Sequence, residues 1–311
     1  MNKSIKILLA VFAILIAVYF LFFRGGEKVS TDKIDAKLFV ADSSKIDKIE
    51  IVKTGETVVL EKVNNQWKLT KPLDYPADTT NIYLMLKDLK NFVIESVASE
   101  NPAKFNSYLD SVNNSSISTY QEGKLLGTFI LGKTQSEGNS FIKKPEENRI
   151  LLASNLTASL FTRPSKDYRN KFITSIQPYV VSRVSFKSTD SSKVDFSVMK
   201  DSTGKWKINN DSVSTSVMEG FLNLLSNLST DDFKDTVMTT FPSPIYTLNV
   251  TTTTGQTTVI NLYKDAVTDP NAAPSYITQV SGVNQLFKLF GAIAGQLMKK
   301  QSDFIPPKPP K

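Results

Sequence analysis

The residues able to move protons or attack a bond in this chain are few and of one kind. Its 311 residues include no histidine and no cysteine. That removes imidazole bases, thiolate nucleophiles, zinc fingers and nearly all transition-metal sites. Carboxylates remain as the strong proton-transfer groups. Two adjacent pairs stand out, Glu146-Glu147 between Pro145 and Asn148, and Asp231-Asp232 after an apolar stretch. Glycoside hydrolysis needs two carboxyl groups about 5–10 Å apart across a cleft. Neighbouring residues point in different directions, and both pairs lie in turn-like sequence, so they read as solvated turn acids. Ser165-Lys166 and Ser191-Ser192-Lys193 lack the companions of a Ser/Lys nucleophile and read as surface. Asp190, Asp195, Asp201 and Asp211 lie near turns without the spacing of a calcium loop. With 13 glycines in the chain, neither a Walker A loop nor a dinucleotide fingerprint occurs. The expectation is no catalytic residue, no cofactor and no metal.

The two tryptophans are more informative, because their surroundings match. Trp67 follows an alternating strand (Val58, Leu60) and a turn at Asn64-Asn65; Trp206 follows Val194, Phe196 and Val198 and a turn at Thr203-Gly204. Asp78 reads as the N-cap of a helix with Ile82, Met85, Leu86, Leu89 and Phe92 on one stripe. Ser214 reads as the cap of a second, with Met218, Phe221, Leu222, Leu225 and Leu228 at the same spacing. Glycine hairpins at Gly123 and Gly255 follow, then late strands opened by Ser140-Phe141-Ile142 and Ser275-Tyr276-Ile277. The pattern predicts an α+β protein made of two tandem homologous antiparallel-sheet-plus-helix domains. In each, the tryptophan hairpin packs on its own helix, because a half-polar sheet must hide its apolar face. Trp67, Trp206, Leu86 and Leu222 are therefore expected as packing residues that double as candidates for interaction. An exposed indole stacking on a sugar is the rival reading.

The chain opens with Lys3 and Lys6, an apolar run of about 17 residues from Ile7 to Phe23, and Arg24. That length is at the lower end for a spanning helix. The run ends in Tyr19, Phe20, Leu21, Phe22 and Phe23, bulky residues that suit an interfacial belt better than a signal-peptidase site. A single-pass, uncleaved anchor in the cytoplasmic membrane is expected, with the bulk of the chain outside the cytoplasm. The formal charge of +7 is concentrated at the ends, in the first 28 residues and at Lys299, Lys300, Lys308 and Lys311. The middle lacks the basic stripe that nucleic acids require, and no nucleic-acid partner is expected. The expected organisation is anchor 1–28, spacer 29–44, first repeat 45–161, linker 162–178 between Pro164 and Pro178, second repeat 179–300 and a Pro/Lys tail 301–311.

Trp67-Lys68-Leu69, Pro72, Ala77-Asp78, the Met85-Leu86-x-x-Leu89 helix, Ile130-Leu131-Gly132 and Tyr168-Arg169-Asn170-Lys171 together resemble a bacterial family, domain of unknown function 4340. The resemblance covers most of residues 40–300. Two places depart from its pattern. Phe105-Asn106-Ser107-Tyr108-Leu109 stands where the family has a Tyr-Gly-Leu-like turn, and Asn209-Asn210-Asp211-Ser212 replaces the Pro/Ala-Asp cap. The family implies an N-terminal anchor and association with ABC transporter components of the gliding-motility type; it has no established activity and carries over no catalytic residue. The expected function is a membrane-anchored extracytoplasmic accessory or scaffold protein that binds membrane or envelope proteins. The alternative is a cell-envelope glycan-binding module or weak carboxylate-dependent hydrolase.

Overall fold

A computed structural model describes Ile5 and residues 11–18, 45–110, 114–190, 195–235, 240–266 and 273–305. The chain divides into two compact units between Asn170 and Lys171. Each is an antiparallel sheet of nine strands carrying one substantial helix, an α+β architecture rich in strand.

In the first unit, β1 (Lys48–Lys53), β2 (Glu56–Val63), β3 (Gln66–Lys71) and β4 (Tyr75–Pro76) form a meander. The helix α1 (Thr79–Asn91) follows, then β5 (Val93–Ser99), a single helical turn Phe105–Tyr108, and β6 (Ser115–Gln121), β7 (Lys124–Ser136), β8 (Asn139–Lys143) and β9 (Ile150–Ser154). Their order across the sheet is β4-β3-β2-β1-β6-β7-β8-β9-β5. The Asn64-Asn65 turn works because both residues hold positive φ (48° and 64°), the geometry that matches a two-residue hairpin to the twist of its strands. Alternation sends Ile49, Ile51, Leu60, Leu69, Ile117 and Phe129 to one face, where Ile82, Met85 and Leu89 of α1 join them in one core. The helix starts at Asp78, whose carboxylate accepts from the Thr80 backbone N–H at 2.9 Å, as an N-cap should.

The second unit repeats this plan. Its strands are β10 (Val181–Ser188), β11 (Phe196–Lys200), β12 (Trp206–Ile208) and β13 (Asp211–Ser212), then, after α2 (Thr215–Ser226), β14 (Asp232–Lys234). Next come β15 (Tyr246–Thr252), β16 (Thr257–Lys264), β17 (Ser275–Val280), β18 (Leu286–Phe290) and a short helix α3 (Gly291–Leu297). The order β13-β12-β11-β10-β15-β16-β17-β18-β14 is that of the first sheet, strand for strand. The unit thus ends in a strand followed by a short helix, β18 and then α3. Val184, Phe186, Val198, Leu248 and Ile260 meet Met218, Phe221, Leu222 and Leu225 in its core. Phe186, Phe196, Phe221 and Phe304 form an aromatic cluster there, with Phe186 and Phe196 stacked at 4.4 Å.

Two boundaries differ from the sequence reading. Residues 162–178 are not a free linker. Tyr168 and Arg169 are buried in the first unit, Ile173 and Thr174 in the second, and the Thr174 hydroxyl donates to the Leu225 carbonyl. Nor is the stretch from residue 301 a loose tail, since Phe304 is buried in the second core and Ile305 packs on it; residues 306–311 lie outside the described residues. The physical reason is shared. Asp78 N–H donates to the Tyr168 carbonyl at 2.8 Å, and Ser214 N–H donates to the Phe304 carbonyl at 2.8 Å. Each unit is closed by a late aromatic tied to the start of its own helix.

Residues Val11–Val18 are helical and exposed. Among the described residues no helix is long and apolar enough to cross a membrane. The rest of the expected anchor 1–28 (residues 1–4, 6–10 and 19–28) and the spacer 29–44 lie outside the described residues.

Candidate functional site

Trp67 and Leu69 share the inner face of β3, and Trp206 and Ile208 that of β12, as alternation requires. Leu69 and Ile208 are fully buried; both indoles are half-buried and pack against their cores. The Trp67 carbonyl accepts from Ala77 N–H at 3.1 Å, and the Trp206 carbonyl from Val213 N–H at 3.3 Å. The Lys200 ammonium lies over the Trp206 ring at 5.0 Å. These indoles brace the strand that leads into each helix. Leu222 is buried, whereas Leu86 is only half-buried beside its core.

The carboxylate pairs are local. Glu147 is held by Arg149 at 2.6 Å and Lys144 at 3.0 Å, and the Arg149 hydrogen bond keeps its carboxyl below the usual range, while Glu146 is exposed. Asp231 accepts from Phe290 N–H, and Asp232 from Phe233 N–H, both at 2.9 Å. Asp201 accepts from Thr203 and Lys205 N–H within its own turn. Among the described residues no three His, Cys, Asp or Glu side chains gather in the manner of a metal site.

Tyr168, Arg169, Asn170 and Gly132, which carry part of the family resemblance, are held by packing or hydrogen bonds in the fold. Tyr168 is fully buried and its hydroxyl donates to the Leu160 carbonyl at 2.8 Å; burial pushes the phenol's pKa far up. Arg169, also buried, lies over the Tyr75 ring at 4.7 Å, and Asn170 N–H donates to the Pro76 carbonyl at 2.8 Å. A Cβ at Gly132 would fall 2.6 Å from the Tyr108 carbonyl oxygen and 2.9 Å from Leu109 Cδ2, so only glycine lets the Phe105–Tyr108 turn approach β7 so closely.

An open cleft of about 470 Å³ lies in the first unit. Its lining includes Lys53, Asp110, Lys133, Thr134, Ser159 and Thr162, with Ser115 buried beneath. β7 passes it where its pairing with β8 slips between Leu131 and Thr134. The inner-face rows Ile49/Thr119 and Ile51/Ile117 lead in register to Lys53 and Ser115 at the sheet's end. Lys53 Nζ is 2.9 Å from Glu56 and donates to the carbonyls of Thr162 and Arg163; Ser165 N–H donates to the same Glu56 at 3.1 Å. Burial alone would raise the Glu56 carboxyl, but the hydrogen bonds from Ser165 and Lys53 outweigh it and leave it below the ordinary value. Ser115 Oγ is buried and, among the described residues, has no hydrogen-bond partner.

The second unit treats the same position differently. There Phe186 pairs with Leu248 as Ile51 pairs with Ile117, so Ser188 and Tyr246 occupy the places of Lys53 and Ser115. The Tyr246 ring is buried and its hydroxyl donates to the Lys299 carbonyl, after α3, as Lys53 donates to the carbonyls after the matching turn Ala158–Leu160. Sequence reading missed this cleft. Setting the two copies side by side would have exposed the Ser115/Tyr246 mismatch.

The family model of domain of unknown function DUF4340 matches residues 67–248, from Trp67 in β3 to Leu248 in β15, and the chain belongs to this family. No curated protein and no solved structure matches it.

Proposed function

We propose that this chain is a membrane-anchored extracytoplasmic accessory protein, a scaffold that binds protein partners through two copies of one sheet domain that arose by tandem duplication. The observation that carries the reading is the shared plan of the two units, down to the closing hydrogen bonds from Asp78 and Ser214 to Tyr168 and Phe304. Two related surfaces on one tether favour bivalent engagement, in which the first contact raises the effective concentration for the second. The apolar run Ile7 to Phe23 supplies the tether to the cytoplasmic membrane, and membership of the family points to partners within an ABC-type transport or gliding-motility assembly. Among the described residues the paired acids are held in local contacts, and both indoles pack against their cores, which favours the scaffold reading over hydrolysis or glycan stacking.

The test is co-purification of the full-length chain from detergent-solubilised membranes under several gentle detergents. One defined partner should accompany it, and mutating surface side chains of either unit should weaken that recovery. Recovery of the chain alone in every detergent contradicts the proposal.

A further inference from the structure

We infer that copies of this chain bind one another, with α1 of one copy seated against α2 of the next. The two helices set the same stripe on their cores, Ile82, Met85, Leu86 and Leu89 in one, Met218, Phe221, Leu222 and Leu225 in the other. Counted from those stripes, Tyr83, Leu84 and Lys87 of α1 correspond to Glu219, Gly220 and Asn223 of α2. The outward faces differ in charge. Tyr83, Lys87 and Lys90 are exposed at the i, i+4, i+7 spacing of one helix face, whereas α2 exposes Ser216, Glu219, Gly220 and Asn223. Tyr83 is 67% exposed, and among the described residues no hydrogen bond or ion pair holds the side chains of Tyr83, Lys87, Lys90 or Glu219. Gly220 is an independent sign. A mid-helix glycine weakens its helix relative to alanine. A Cβ at Gly220 would meet nothing within 4 Å, so packing among the described residues does not require the glycine. What a bare backbone on an exposed face supplies is close approach to another surface. The Tyr83 ring of a second copy suits that notch, since it can lie on backbone while its hydroxyl stays wet. Lys87 and Lys90, one and two turns further on, carry the charge that complements Glu219. A contact between two different faces is heterologous, so the copies extend into a row or close into a ring. One pair of helix faces is small beside the about 1,200 Å² of a stable interface, so the association is weak and grows with local concentration. A chain that associates with itself yet recovers no other protein would contradict the scaffold reading above and leave this inference intact.

The experiment is sedimentation velocity of the full-length chain in a non-ionic detergent, over a concentration series reaching high micromolar. One variant carries Lys87→Glu and Lys90→Glu, a second Glu219→Lys, and a third Gly220→Gln, all at exposed positions. The wild type should associate increasingly with concentration. Each charge variant alone should associate about tenfold or more weakly, because like charges then face one another. An equimolar mixture of the two charge variants should recover association, since every face again meets its opposite. Gly220→Gln should weaken association while its melting temperature holds or rises, a pairing that a purely structural role for the glycine would not give. A wild type that stays monomeric throughout, association indifferent to these substitutions, or a mixture no better than either variant alone overturns the inference.

Discussion

At the scale of single residues, burial sorts the side chains that spacing alone treats alike. Leu86 and Leu222 occupy the same kind of helical stripe, yet Leu222 is 4% exposed and Leu86 is half-buried. Leu222→Ala should cost about 2–5 kcal/mol, the range for a leucine lost from a core, and Leu86→Ala clearly less. Urea unfolding of the two variants checks the order, and equal losses would show that the cores are not as described. Glu56 makes a pH prediction. Its folded pKa lies below the ordinary 4.5, so its contribution is present above that value and is lost as pH falls through the folded pKa. Glu56→Gln should therefore reduce stability at neutral pH and narrow the loss seen on acidification below 4.5. Parallel acid-unfolding curves for wild type and variant would refute the claimed tie between Lys53, Glu56 and Ser165.

At the scale of elements, the hairpins and helices were legible because their signals are local. Asn64-Asn65 declares a tight turn, alternation in Val58 and Leu60 declares a strand, and the Ile82, Met85, Leu89 spacing declares a helix face. Strands β5 and β14 were not foreseen, because each helix carries the chain to the far edge of its sheet, where β5 pairs with β9 and β14 with β18. Such pairings join residues distant in sequence and leave no local mark. The ties of Tyr168 and Phe304 to the helix starts left no local mark for the same reason. Tyr168 sits between prolines in charged sequence and looks like linker, yet its place is fixed by the start of α1. Capping separates the two helices. Asp78 accepts from Thr80 N–H, whereas the Ser214 side chain makes no cap hydrogen bond. Asp78→Ala should cost about 1 kcal/mol and Ser214→Ala close to nothing. Thermal melts of both variants decide it, and a larger loss at Ser214 would contradict the stated geometry.

At the scale of the whole molecule, the account rests on two domains that each close on themselves. The repetition of one plan was legible through the tryptophans, helix stripes and glycine hairpins. Its true extent was not, because the sequence shows no break where each copy ends; the structure places that end after the aromatic that seals the helix start. The cleft of the first unit was illegible because its lining comes from segments distant in sequence, around Lys53, Ser115, Lys133 and Ser159. The most direct measurement compares two fragments, residues 45–161 and 45–170, by cooperative thermal unfolding. The longer one, which retains Tyr168 and Arg169, should unfold in a single sharp transition, and the shorter one should be markedly less stable or fail to fold. Equal stability of the two fragments, or failure of 45–170 to fold at all, would contradict the claim that this chain is two self-closed copies of one sheet domain.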